Sequence, residues 1–478
     1  MIVFGYLVSI LYALACIGGA GVLYKLGCTK SVTRKFVHIL VGFEWVILNY
    51  FMGNSLHFFA VALALTAVLA IEYRLKIFKM MSSDSDNAPG TVYYAVAMSI
   101  MSALTLAIPE MSVPFGIGVF CTSFGDGFAG LVGFAVKRGN PKIYGNKTLV
   151  GAIAGFTVSF ITTAVISLTF SYPLAWWQWL AIAFLSCALE LVFGYGLDNI
   201  AVTLGTAGLA YAFVCFPAIS DYLVPILLTP LFIGFAYKKK ALTLFGVIAA
   251  VAVDLAISAS LGNFGFITLA TFFVGGIAAD KFKKKRKKAK QNDKKTHECR
   301  RAVQVVSNGI AAAIAAVLFL ATQNKLFVVA FVAAMAEALA DTVASGIGSS
   351  SSRVYDIARF RRCEPGLSGG VSLSGTLSSL AASLLLPLVA IAFGTLTLTE
   401  SAIAAAAAFV GVMIDSILGS LIQAKYRCAV CGRIVERREH CGAVATRLSG
   451  IPIVNNDAVN LLSNIITAAV AIALATLI

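Results

Sequence analysis

Residue types that handle phosphate and divalent metal recur along the first half of an otherwise apolar chain. Carboxylates and an amide suit Mg²⁺, which usually binds together with phosphate groups. Arg, Lys and the N-terminus of a helix suit the phosphates themselves. Positioning and charge neutralisation are most of what phosphoryl transfer asks of a protein, so this set predicts such a site. In chain order the residues are Arg34, Lys35, His38, Asp126, Lys147, Glu190, Asp198 and Asn199.

Local sequence indicates how several of these side chains are positioned. Arg34 and His38 are four residues apart in RKFVH, so they share one face of a helix that begins at the membrane boundary. Glycines in SFGDGFAGLVG allow a ligand or another backbone to approach Asp126. Lys147 stands where a helix is predicted to begin. Two simpler interpretations stay open: Arg34 and Lys35 as membrane-boundary anchors, and Asp126 as a packing or proton-relay carboxylate.

The second half carries its own acids, amides and hydroxyls at predicted helix ends. The acids each stand beside small or amide residues, and the segment GGVSLSGT offers backbone N–H and hydroxyl groups that would cradle phosphates. A bundle held together by Ser, Thr and Asn hydrogen bonds is the simpler alternative. The candidate residues are Asp341, Asp415 and Asp457 as acids, and Gly370, Ser372, Thr376, Asn456 and Asn460 as phosphate-binding groups.

The two halves echo one another faintly. FGDGFAGLVG and GNKTLVGAIAG in the first half correspond to LADTVASGIG and GGVSLSGTLSS in the second. Low complexity explains such an echo as well as common ancestry does.

A cysteine–histidine loop at 428–441 has the composition of a metal site. Cys428 and Cys431 form a CxxC pair, and His440 and Cys441 follow within the same loop. Four soft ligands at this spacing predict a structural zinc site. The adjacent ligands at 440 and 441 are awkward, so a reduced loop without metal is the alternative.

Long apolar segments must position all of these residues. The chain of 478 residues is 59% hydrophobic and 12% charged, whereas a soluble domain is about one quarter charged. Its apolar runs have the length of bilayer-spanning helices. The sequence therefore predicts an all-α polytopic membrane protein with two fused helical domains, 1–222 and 223–478. About sixteen helices are expected, near 2–24, 36–53, 56–73, 91–108, 114–135, 149–170, 175–194, 200–216, 223–237, 241–260, 265–280, 302–321, 325–345, 371–393, 401–423 and 458–478.

The position of the basic residues orients the predicted helices. The net charge is +15, and the predicted loops place every Lys and Arg except Lys325 on one side. The positive-inside rule makes that side cytoplasmic, with both termini outside and both sites facing the cytoplasm of the inner membrane. The basic linker 281–301 is then expected near anionic lipid headgroups, with no nucleic-acid partner. The first helix lacks a basic n-region and is expected to be retained.

The ordered motifs of the first half resemble the polyprenol kinase family, which contains phytol kinase, dolichol kinase and CTP-dependent diacylglycerol kinase. The motifs are RKxxH, GDGxAxxxG, GNKT and ExxxxxxxDN, between about residues 30 and 216. This resemblance implies phosphorylation of a lipid alcohol with CTP and Mg²⁺. Many members have Glu where this chain has Val150, which puts one metal or base contact in doubt.

From about Pro230 onwards the chain resembles the membrane-protein family that includes plant phytyl-phosphate kinase. AEALADTVASGIG, GLSGGVSLSGT, GVMIDSILGS and NNDAVN carry this resemblance. It implies transfer of a second phosphoryl group to an isoprenyl monophosphate. The family motif has Glu where Gly346 stands, and Glu337 is a candidate substitute.

Together the two resemblances imply a bifunctional kinase that converts an isoprenoid alcohol to its monophosphate and then to its diphosphate. Its partner would be an isoprenoid lipid within the bilayer. Two alternatives stay open: a CTP-dependent phospholipid enzyme of the diacylglycerol kinase or cytidylyltransferase type, and a two-domain lipid transporter.

Overall fold

A computed structural model describes residues 1–75, 89–136, 138–238, 240–288, 300–348 and 351–478. The chain forms two compact units, Met1–Phe235 and Ala236–Ile478. The sequence predicted a domain boundary at 222/223, whereas the observed division falls thirteen residues later, within the helix Leu223–Lys238. Part of the basic linker, residues 289–299, lies outside the described residues.

Helices make up most of the described part of the first unit. A π-helix, Cys121–Asp126, joins two of them without a break. The last helix continues past the boundary between the units. The helices are α1 (Ile2–Lys25), α2 (Lys30–Val41), α3 (Phe43–Met52), α4 (Leu56–Leu75), α5 (Gly90–Ala107), α6 (Ser112–Phe120), α7 (Gly127–Ala135), α8 (Leu149–Thr169), α9 (Trp176–Val192), α10 (Leu197–Cys215) and α11 (Leu223–Lys238).

Six further helices are found in the described residues of the second unit. They are α12 (Leu244–Lys288), α13 (Ala302–Thr322), α14 (Leu326–Gly348), α15 (Leu373–Ala392), α16 (Leu398–Leu421) and α17 (Asn456–Ala475).

Short strands occupy connecting segments of both units. In the first unit β1 (Lys142–Tyr144) pairs with β2 (Lys147–Thr148). In the second unit two three-stranded sheets have the orders β4-β3-β5 and β10-β6-β7, and β8 pairs with β9. The strands are β3 (Tyr355–Asp356), β4 (Arg361–Arg362), β5 (Gly370–Val371), β6 (Lys425–Arg427), β7 (Ile434–Val435), β8 (Glu439–His440), β9 (Ala443–Val444) and β10 (Thr446–Ser449).

Fourteen described segments are long and apolar enough to cross a membrane, which confirms the all-α polytopic fold. Two features account for the larger number expected from the sequence. Trp176–Val192 is apolar but shorter than the other segments. The predicted helices 241–260 and 265–280 are both present: α12 consists of two helices that meet at a kink at Gly262, where the backbone is non-helical, and together they count as one of the fourteen segments.

Helix α14 is the centre of the second unit. Its residues from Val328 to Ala340 are all buried, and it contacts α12, α13, α15, α16 and α17. Many of these residues are alanines, whose small side chains let helix backbones approach closely. A polar residue on α14 is therefore surrounded by protein on several sides, which matters for Glu337 and Asp341.

Gly262 provides a first prediction. Its φ of 56° and ψ of −140° lie in a region that side chains with a Cβ rarely adopt. We expect Gly262→Ala to lower the free energy of unfolding by about 1–3 kcal/mol. The measurement is the midpoint temperature of thermal unfolding in detergent, which should fall. Gly208→Ala is the matched control, because a Cβ there meets nothing within 4 Å. Equal transitions for the two variants would contradict the assigned kink.

Candidate functional site

Asp126 ends the π-helix of the first unit and is paired with two residues of α2. Lys35 Nζ lies 2.6 Å from Asp126 Oδ2 and donates to the Asp126 carbonyl oxygen at 3.2 Å. His38 Nε2 lies 3.3 Å from the same Oδ2 and 3.1 Å from the carbonyl oxygen of Thr122. π-Helical turns are common at functional sites, and this one directs the Asp126 carboxylate towards α2.

The glycines around Asp126 serve this close approach. A Cβ at Gly130 would lie 2.6 Å from Lys35 Cε, and a Cβ at Gly127 would collide with Ile39. The sequence predicted that these glycines admit a ligand or another backbone, and the structure shows them admitting side chains of α2. Asp126, Lys35 and His38 thus meet because α7 lacks side chains on this face.

Lys147 organises the second part of the first-unit site. Its Nζ lies 2.8 Å from Glu190 Oε1 and 3.3 Å from Asp198 Oδ2, and it donates to the Glu190 carbonyl oxygen. Burial alone would lower the pKa of Lys147, but the carboxylates of Glu190, Asp198 and Asp126 raise it above its ordinary value. Lys147 therefore stays charged, and its charge stabilises carboxylates from α9 and α10.

Thr148 begins α8 as the sequence predicted. Its side chain accepts from the backbone N–H of Gly151 at 3.3 Å, which is the usual N-cap interaction. Gly151 and Gly133 of α7 lie against each other, because a Cβ at Gly133 would be 3.4 Å from the Gly151 Cα. The beginning of α8 is thereby held close to α7, the helix that follows Asp126.

The carboxylates of Asp126 and Glu190 line one small cavity. A buried amide lies nearby: Asn199 donates through Nδ2 to the Gly90 carbonyl at 2.7 Å, while its Oδ1 has no hydrogen-bond partner among the described residues. The cavity is lined by Gly125, Asp126, Gly155, Ser159, Ser186, Cys187, Glu190 and Val202.

Two first-unit expectations concern residues at the margin of this cluster. Arg34 is half-buried on α2, and no ion pair joins it to the described part of the chain. Val150 replaces the Glu of related motifs, and its backbone N–H bonds to Asn140 Oδ1 at 3.1 Å. Glu190 and Asp198 supply the acids next to Lys147 in this chain.

Glu337 of α14 lies at the centre of the second-unit site. It is 2% exposed, accepts from Ser463 Oγ at 2.8 Å and accepts from Asn464 Nδ2 at 2.5 Å. Ser463 Oγ also lies 3.2 Å from Asp415 Oδ2. Because a hydroxyl carries one proton, Ser463 donates to only one of these two carboxylates at a time. Asp341 is one helical turn beyond Glu337 on α14.

A chain of amides extends from the acids along α17. Asn456 Nδ2 donates to Asn460 Oδ1 at 3.3 Å, and Asn460 Nδ2 donates to Asn308 Oδ1 of α13 at 3.1 Å. The predicted i, i+4 pair is therefore present. Asp457 lies in the first turn of α17, and the hydrogen bonds of the described residues do not join it to Glu337 or Asp415.

The predicted phosphate cradle begins α15. Gly370 is in β5, and Ser372 accepts from the Gly375 N–H at 3.2 Å. The Thr376 N–H bonds to the Ser372 carbonyl at 2.8 Å. Gly375 packs against Gly348 of α14, because a Cβ at Gly375 would lie 3.4 Å from the Gly348 Cα.

The same local arrangement occurs once in each unit. In the first, a glycine seven residues after Asp126 packs against the Thr148-capped turn of α8. In the second, a glycine seven residues after Asp341 packs against the Ser372-capped turn of α15. The faint sequence echo thus corresponds to equivalent helix contacts within the two units.

Sequence analysis missed Ser463, Asn464 and Asn308 as members of the second-unit cluster. Asn464 continues the i, i+4 series of Asn456 and Asn460, which was the available signal. Glu337, named only as a substitute for the Glu absent at Gly346, is at the centre of the cluster, whereas Gly346 packs against Ala279.

The Cys/His loop gathers its four predicted ligands. The ligand atoms of Cys428, Cys431, His440 and Cys441 all lie within 4.8 Å of one another. Hydrogen bonds from the Cys431 backbone and the His440 side chain lower the pKa of Cys428 to about 6. The φ of 55° at Cys441 turns the chain so that the adjacent residues 440 and 441 both reach the cluster.

Comparison with known proteins places the chain in a family. Residues 227–468 match the family described as integral membrane protein DUF92. The chain belongs to this family. No solved structure matches it.

Characterised relatives cover smaller parts of the chain. A phytol kinase from Synechocystis sp. is 30% identical over 188 residues, which are 38% of this chain and 79% of the relative. Protein VTE6, chloroplastic, from Arabidopsis thaliana is 32% identical over 170 residues, 34% of this chain and 51% of the relative. Protein PGR from the same plant is 31% identical over 139 residues, which are 27% of this chain and 47% of the relative. The chain thus spans about half the length of each plant protein.

The Lys147 ion pairs provide a second prediction. Lys147→Met leaves Glu190 and Asp198 without their cation, so we expect the free energy of unfolding to fall by about 3 kcal/mol, measured by thermal denaturation in detergent. Lys325→Met is the matched control. Its ion pair with Glu400 spans 2.8 Å, but half of the lysine side chain is exposed, and such a pair contributes at most about 1 kcal/mol.

The double variant Lys147→Met/Glu190→Gln should recover part of this loss, because it removes one unpaired charge. If Lys147→Met and Lys325→Met shift the transition equally, Lys147 is not the main counter-ion of this cluster.

Proposed function

We propose that the chain is a bifunctional membrane kinase for isoprenoid alcohols. The first unit transfers a phosphoryl group to the alcohol, and the second transfers another to the resulting monophosphate. The observation that carries this proposal is the presence of a separate carboxylate cluster in each unit, one around Asp126 and Glu190 and one around Glu337 and Asp415. The phytol kinase among the relatives supports the kinase class.

Both clusters suit Mg²⁺ by the chemistry of their donors. Hard oxygen ligands are what Mg²⁺ prefers, and each cluster combines carboxylates with a buried amide oxygen. Asn199 Oδ1 in the first unit and Asn464 Oδ1 in the second have no hydrogen-bond partner among the described residues. In the second unit one hydroxyl proton faces two carboxylates, an arrangement that a cation would stabilise. Mg²⁺, when bound, would neutralise the phosphate oxygens of the nucleotide.

In the first unit Asp126 would orient the alcohol hydroxyl or hold the metal. The carboxylates of Glu190 and Asp198 would share the metal with it. Lys35 and Lys147, which pair with these carboxylates, would contact the phosphates, joined by Arg34 from the same helix as Lys35. The hydroxyl would give its proton to a carboxylate of this cluster as its oxygen bonds to the terminal phosphorus. The bond from that phosphorus to the bridging oxygen breaks, and the nucleoside diphosphate leaves.

In the second unit Glu337, Asp341 and Asp415 would take the corresponding roles. The beginning of α15 would hold phosphate through the hydroxyl groups of Ser372 and Thr376 and through the N–H groups of its first turn other than those of Gly375 and Thr376, which bond to Ser372. Asn460 would position the isoprenyl monophosphate, whose oxygen attacks the terminal phosphorus of a second nucleotide. CTP is the donor we propose for both units, and the isoprenoid tail would lie in the bilayer beside the helices.

The third prediction tests the division between the units. Full-length protein in nanodiscs receives CTP labelled in the terminal phosphate and geranylgeraniol or phytol. We expect Asp126→Asn to lower monophosphate formation by at least about 100-fold while isoprenyl monophosphate, supplied directly, is still converted to diphosphate. Asp415→Asn should have the reverse effect.

Asp221→Asn is the control, because Asp221 is an exposed acid of the first unit outside both clusters. If each site variant loses both products, the assignment of one step to each unit is wrong. If wild-type protein moves lipid across sealed vesicles without any transfer of label, the chain is a carrier.

The fourth prediction concerns metal removal. EDTA should abolish both activities, because the carboxylates of both units would lose the cation that joins them to phosphate. Because EDTA would also remove a metal from the Cys/His loop, Mg²⁺ is added back together with Zn²⁺, and this should restore both activities as measured by label transfer. Full activity at saturating EDTA would contradict the proposed role of the two carboxylate clusters.

A further inference from the structure

The Cys/His loop of the second unit has the geometry of a metal centre. Cys431 Sγ lies 3.5 Å from His440 Nδ1, and Cys441 Sγ lies 3.2 Å from the same atom. Cys428 completes the set, and the ligand atoms of all four residues lie within 4.8 Å of one another. These separations are near those between ligand atoms arranged around one small ion.

Two tight turns supply the four ligands. Cys428 and Cys431 stand in the turn between β6 and β7, where the Gly432 N–H bonds to the Cys428 carbonyl at 3.0 Å. His440 ends β8, and Cys441 follows it in the turn to β9. Gly432 and Gly442, with φ of 69° and 74°, each follow a pair of ligands and allow the chain to turn back. Two such turns facing each other are typical of structural zinc sites.

We propose that Cys428, Cys431, His440 and Cys441 bind one structural Zn²⁺. Three thiolates and one imidazole satisfy all four tetrahedral positions, so no position stays open for a substrate or a reactive water. The site would be closed, and its role would be to hold the loop.

The Cys/His loop and the residues just before it form hydrogen bonds with the segment that leads into α15. Glu436, between the two turns, accepts from the Ser368 backbone N–H at 2.6 Å. Lys425 Nζ donates to the Ser368 carbonyl at 2.9 Å, and Gln423 Nε2 donates to Ser368 Oγ at 2.9 Å. Ser368 is followed closely by Ser372, the N-cap of α15. The zinc loop would therefore position the phosphate-binding turn of the second unit, an extension that rests on the proposed function.

Metal analysis of the full-length protein tests the site itself without any assay of activity. Protein purified in detergent without chelator should contain about one zinc per chain by mass spectrometry. The double variant Cys428→Ser/Cys431→Ser should contain less than about 0.1. Cys215→Ser is the control, because Cys215 is an exposed cysteine of the first unit and should leave the zinc content unchanged.

A second measurement uses wild-type protein, so it tests the site even if the double variant fails to fold. Wild-type protein treated with p-hydroxymercuribenzoate should release its zinc to a colorimetric chelator as the thiols react. Wild-type protein without zinc after growth in zinc-supplemented medium would overturn the proposal. Iron in place of zinc, or zinc retained by the double variant, would do the same.

The positioning role has its own readout. Loss of zinc should raise the KM for nucleotide in the conversion of monophosphate to diphosphate and leave monophosphate formation by the first unit unchanged. An unchanged KM with zinc removed would overturn the positioning role and leave the metal site standing.

Discussion

Charged side chains within apolar helices must be paired, and this requirement organises both units. An unpaired charge in a hydrocarbon-like environment is costly, so each carboxylate needs a cation or a hydrogen-bond donor on a neighbouring helix. In the first unit Lys147 connects the start of α8 to Glu190 of α9 and Asp198 of α10. Lys35 connects α2 to Asp126. The ion pairs that balance the acids also hold α2, α9, α10, the start of α8 and the π-helix close to one another.

The second unit meets the same requirement with neutral donors. Ser463 and Asn464 of α17 donate to Glu337, and Ser463 also reaches Asp415 of α16. Neutral donors compensate a carboxylate less than a lysine does, so this cluster has more to gain from a bound cation. The two units thus combine similar helix contacts with different electrostatics.

Small residues are the second constraint on both sites. Gly130 admits the aliphatic part of Lys35, and Gly133 lies against Gly151. In the second unit Gly348 and Gly375 take the same relation. Where two helices meet at glycine, the N-terminal turn of one comes close to the acid-bearing helix beside it. A helix N-terminus next to a carboxylate is suited to a phosphate bridged by metal.

The sequence by itself determined the all-α membrane fold and most helix positions, because the length and hydrophobicity of each span are local properties. It also identified Lys147 at a helix start and the four residues of the Cys/His loop. Tertiary structure decided which acids meet: Glu337 with Asp415, through Ser463 of a third helix, and Asp457 outside that contact. Such pairings depend on the rotation and depth of packed helices, and periodicity alone does not specify them. The π-helix at Asp126 likewise arises from packing, since no local pattern distinguishes it from ordinary helix, whereas the sequence predicted a break between residues 260 and 265, where the kink at Gly262 lies.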